Sequence, residues 1–61
     1  MFIKLTPFYM TNGNNWYYLS AEKITALEYF IDEGSTIVHV GGNQTFAVQE
    51  TPQEIITLLS D

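Results

Sequence analysis

Cysteine and arginine are absent from this 61-residue chain, and lysine occurs only at positions 4 and 23. Without cysteine there is no disulfide framework and no thiolate metal site. Two cations against seven Asp and Glu, a formal net charge of −5, are too few to displace the counterions of a phosphate backbone. Nucleic acid is therefore not an expected partner. No apolar run approaches the ~20 residues that cross a bilayer. The opening Met1-Phe2-Ile3-Lys4-Leu5-Thr6-Pro7 lacks the basic and apolar regions of a signal peptide. These absences predict a soluble, cytoplasmic protein without membrane attachment.

What is present is apolar and aromatic. Hydrophobic residues make up 46% of the chain, including four Phe, four Tyr and one Trp, which is too much for a disordered acidic tail. One small domain over residues 1–61 is expected. A chain of this size buries only about 60% of its unfolded surface. With no disulfide or evident metal to add stability, self-association is the remaining common solution.

Local patterning predicts an α+β fold: a small antiparallel sheet of about five short strands, open or barrel-like, with one short C-terminal helix. Phe2–Thr6 alternates, with Ile3 and Leu5 on one face, and Pro7 should end that strand because it cannot donate to a ladder. Asn12-Gly13 is the strongest hairpin dipeptide in the chain. Trp16–Leu19 reads as a strand with two apolar faces, Trp16 with Tyr18 and Tyr17 with Leu19. Ser20–Lys23 reads as a tight turn with Ser20 as cap. In Ile24–Ile31 the residues Thr25, Tyr29, Phe30 and Ile31 favour a strand over a helix. After a turn at Asp32–Ser35 come Thr36–Val40 and Thr45–Val48, joined by a hairpin at Gly41–Gln44. Ile37 and His39 should face one way, and Thr36, Val38 and Val40 the other. Thr51-Pro52-Gln53-Glu54 is a capping box with Pro at the first helical position. Ile55, Ile56, Leu58 and Leu59 then supply an apolar stripe that must dock on a sheet.

Several of these segments resemble the flagellar FlbD-like family of small β-rich proteins. They are Phe2–Thr6, Asn12-Gly13, Leu19-Ser20-Ala21-Glu22 with Ile24 and Leu27-Glu28, Ser35–Val40, Gly42, Val48–Thr51 and Glu54–Ile56. Some members of that group are tied to bacterial motility, and similar short chains occur in phage genomes. The resemblance implies a binding or structural role and carries no catalytic residues. Pro7–Thr11 looks like an insertion before the Asn-Gly turn, and Pro7 replaces the basic residue usual after Leu-Thr. Both departures point from a flagellar role toward a phage or prophage variant.

Little in the chain suggests catalysis. His39 is the only imidazole, with no Cys and no His-Glu-x-x-His spacing, so it reads as a half-exposed sheet residue able to modulate an interface rather than a metal ligand. Ser20, Ser35 and Ser60 sit in turns or at the end of the chain, without a base beside them. Gly41-Gly42 lacks the Lys and following helix of a phosphate loop. Asn43-Gln44-Thr45 is a chance glycosylation sequon. No enzyme activity, catalytic residue, metal or cofactor is expected. The aromatics are the informative group. Phe8, Tyr9, Trp16, Tyr17, Tyr18, Tyr29 and Phe30 exceed what one short helix can cover. About half should form core, and Tyr9, Trp16 and Tyr18 are the expected protein-interface residues. The expected function is a small, non-enzymatic, self-associating interaction module, a dimer or larger ring. The alternatives are a phage inhibitor of a host protein or defence complex, or an oligomer that sequesters a small nucleotide ligand.

Overall fold

The structure is a computed structural model, and it describes residues 1–9 and 15–60. The Asn12-Gly13 turn lies outside the described residues. The element order is β1 (Phe2–Leu5), β2 (Tyr17–Ser20), a 3₁₀ turn (Ala21–Lys23), β3 (Ile24–Phe30), β4 (Ser35–Val40), β5 (Gln44–Val48) and α1 (Pro52–Ser60). Five antiparallel strands and one C-terminal helix give the α+β fold that the patterning predicts. The strands form two sheets, β1-β2 and β3-β4-β5.

Pro7 joins the two sheets. It ends the pairing of β1 with β2, because its ring nitrogen has no hydrogen to offer that side. The chain stays extended, however. Gln49 donates its N–H to the Thr6 carbonyl at 2.9 Å, and Phe8 donates to the Ala47 carbonyl at 2.9 Å. Pro7 bridges Val48 between them. One extended segment thus bonds β2 along its first half and β5 along its second.

The sheets do not close into a barrel. Closure would need β2 to pair with the strand that follows it, through a tight hairpin with a left-handed residue. Ser20–Lys23 contains neither Gly nor Asn and forms a 3₁₀ turn, which carries the chain onward instead. Both ladders run into that corner: Ala21 donates to the Met1 carbonyl at 2.8 Å, and Gly41 donates to the Lys23 carbonyl at 3.1 Å. Ser20 caps this turn by position only, since its side chain makes no cap hydrogen bond. The other two turns follow their sequences. Gly34 (φ 72°) closes β3-β4, while Gly42 (φ 83°) and Asn43 (φ 66°) close β4-β5. Left-handed backbone of this kind favours Gly and tolerates Asn.

The core is aliphatic. Ile3, Leu5, Leu19, Val38, Val48 and Ile55 are buried together, with Tyr17, Ile24, Leu27, Val40, Phe46, Leu58 and Leu59 packed around them. The alternation holds in β1, where Ile3 and Leu5 are inside while Phe2 and Lys4 are exposed. In β4 it holds in the middle, where Thr36 and Val38 are buried and Ile37 and His39 half-buried, but not at the ends, where Ser35 is buried and Val40 half-buried. In β2 the ambiguous faces resolve, with Leu19 inside and Tyr18 outside. Helix α1 docks through Ile55. Its stripe is narrower than expected, because Ile56 is 48% exposed.

The capping box forms as a reciprocal pair. Thr51 N–H donates to Glu54 Oε1 at 2.8 Å, and Glu54 N–H donates to Thr51 Oγ1 at 3.2 Å.

Candidate interaction site

Fewer aromatics enter the core than expected. Of the seven singled out, Phe8 and Tyr17 are half-buried and the other five are exposed. Tyr17 packs edge-on against Phe46 at 4.9 Å between ring centroids. The aliphatic residues of β1, β2, β4, β5 and α1 fill the interior, so most of the aromatics remain outside.

The three expected interface residues are all open to solvent: Tyr9 is 69% exposed, Trp16 40% and Tyr18 60%. Strand pairing brings two of them together. Lys4 lies opposite Tyr18, and Phe2 opposite Ser20, on the outer face of β1-β2. The Lys4 ammonium sits over the Trp16 ring, 4.2 Å from its centroid, a cation–π contact. Phe2, Lys4, Trp16 and Tyr18 therefore make one exposed surface. Tyr9 belongs to a different pairing, past Pro7 on the stretch that bonds β5. Its ring meets Phe8 edge-on at 5.0 Å.

Beside this face is a cleft of about 440 Å³ lined by Lys4, Glu50, Glu54, Thr57 and Leu58. It arises because β5 ends at Val48 and the chain turns into α1, leaving the first half of β1 without a neighbour on that side. Its carboxylates are already engaged. Glu50 accepts Thr6 N–H at 2.9 and 3.0 Å and Thr6 Oγ1–H at 2.8 Å. Glu54 completes the capping box. Nothing in the sequence pointed to Glu50, since only the three-dimensional course of the chain brings it to Thr6.

The remaining polar candidates are placed as follows. His39 Nε2 lies 3.3 Å from Glu28 Oε1 on the outer face of β3-β4. Ser35 is buried and donates to Glu33 Oε1 at 3.4 Å. Ser60 donates to the Ile56 carbonyl at 2.9 Å, within the helix. Among the described residues, no three His, Asp or Glu side chains cluster closely enough to hold a metal ion. No described helix is long and apolar enough to cross a membrane.

The face belongs to a small α+β protein whose aromatic surface is open to solvent. Compared with protein-family models, curated proteins and solved structures, the chain matches none of them.

Proposed function

We propose that this chain is a small, non-enzymatic, self-associating interaction module that offers the outer face of β1-β2 to a protein partner. The observation that carries the reading is the exposed grouping of Phe2, Trp16 and Tyr18 around Lys4. Trp and Tyr give large contact area at low entropic cost, which is why they dominate interface hot spots. Here Tyr18 is held on the paired strand β2 and Trp16, just before that strand, lies under the Lys4 ammonium, so little ordering remains to be done on binding. The cytoplasm of a bacterium, with the gene carried by a phage or prophage, is the proposed setting. It follows from the FlbD-like segments and from the departure at Pro7–Thr11.

Two measurements test this. Light scattering at micromolar concentration should give a mass above the 7.0 kDa of one chain, and a clean monomer removes the self-association part. In a pull-down from bacterial lysate, a partner retained by the native chain should be lost by Trp16→Ala/Tyr18→Ser. Equal capture by both removes the assignment of the face.

A further inference from the structure

We propose that the free edge of β3 pairs with the same edge of a second copy, antiparallel about a two-fold axis at Glu28. The two β3-β4-β5 sheets then become one six-stranded sheet. This rests on the self-association proposed above and names the surface that mediates it.

The edge is open. Among the described residues β3 bonds to β4 alone. At 3.4 Å per residue its seven residues span about 24 Å, close to the 27 Å length of the molecule. Thr25, Ala26, Glu28, Tyr29 and Phe30 are exposed, as is Ile31 beyond the strand. Natural edges are blunted by Lys, Pro, shortness or bulges. This strand has no Lys and no Pro, and its one irregularity lies at its start, between Ile24 and Ala26. An unpaired row of backbone donors and acceptors is completed by another strand.

Charge selects a second copy as that strand. Lys23 precedes β3, Asp32 and Glu33 follow it, and all three are exposed. Antiparallel self-pairing brings each basic end beside the other copy's acidic end, twice by symmetry. A parallel arrangement would set like charges together.

The side chains fix the register. Only shifts of two residues keep each face matched to itself. Centred on Glu28, Leu27 stands opposite Tyr29 and small Ala26 opposite large Phe30, and Lys23, just before the strand, comes beside the turn that carries the other copy's Asp32 and Glu33. Moving the centre to Leu27 sets Lys23 against Ile31. Moving it to Tyr29 leaves Lys23 past the end of the other strand, because Ser35 already lies on β4 opposite Phe30. The like-charge contact in the chosen register is Glu28 with Glu28, and each of these carboxylates has His39 of its own chain beside it at 3.3 Å.

Sedimentation equilibrium of the full chain tests the charge argument. Lys23→Glu, an exposed change, should weaken dimerisation by roughly tenfold or more, as two favourable pairs become two repulsive ones. Lys23→Glu/Glu33→Lys should restore it. Because the chain has no cysteine, Glu28→Cys tests the register. Directly opposed strand residues lie about 4.5–5.5 Å apart at Cα, within disulfide range. Mild oxidation should therefore cross-link Glu28→Cys into dimers but leave the helix variant Gln53→Cys monomeric. A native dimer that is indifferent to the charge reversal and not cross-linked at position 28 overturns this edge while leaving self-association standing. A clean monomer at micromolar concentration overturns both.

Discussion

Glu50 ties three parts of the chain together. Its carboxylate takes both donors of Thr6, and its carbonyl accepts the buried Thr36 hydroxyl at 2.6 Å. The carboxylate thus ends the Thr6–Phe8 pairing where β5 has run out of residues. Removing it leaves a half-buried N–H and hydroxyl without a partner, which costs about 1–3 kcal/mol. Glu50→Ala should therefore lower stability by about 2 kcal/mol in urea denaturation. The same truncation at exposed Glu22 should fall within about 0.5 kcal/mol. Equal losses at the two positions would mean that the Thr6 contacts contribute little.

The helix shows which parts of an element can be read from local sequence. Its start was legible because a capping box and an N1 proline act within four residues. Thr51→Ala should cost about 1 kcal/mol by removing the cap oxygen. Its inner face was only partly legible. Ile55 and Ile56 look alike in the sequence, yet Ile55 is fully buried and Ile56 is 48% exposed. Ile55→Ala should cost about 2–5 kcal/mol, enough to unfold much of so small a domain. Ile56→Ala should stay within about 1 kcal/mol, and thermal melts of the pair make the comparison. The strands divide in the same way. The alternation in β1 and β4 named their buried faces because one face is buried continuously. The double pairing of the Phe2–Phe8 segment was not legible, since nothing within a strand states which neighbours it will have. Tyr29 and Phe30 stay outside for a related reason, because strands β1, β2, β4 and β5 and helix α1 fill the core with aliphatic side chains. Trp16 and Tyr18 are exposed as well. Their candidacy as interface residues could be read from residue type, whereas their grouping with Lys4 and Phe2 required the register.

At the scale of the whole molecule, association sets a net charge of −5 against an equal charge. Two such copies with centres about 25 Å apart, the width of the molecule, repel by roughly 4 kcal/mol in unscreened water. At 0.01 M salt, where the Debye length is about 30 Å, roughly 2 kcal/mol of that survives; at 0.15 M, where it is about 8 Å, almost none does. The Lys23–Glu33 pairs work in the opposite sense but are short-ranged and exposed, worth about 0.2–1 kcal/mol each before screening. The long-range repulsion is therefore the larger salt-dependent effect. Self-association should tighten by about tenfold between 0.01 and 0.15 M salt, measured by sedimentation equilibrium, even though the interface contains ion pairs. The charge-neutral swap Lys23→Glu/Glu33→Lys leaves the net charge unchanged and should show the same salt response. A native dimer that weakens steadily over this range would mean that contacts between opposite charges outweigh the repulsion of the two acidic bodies.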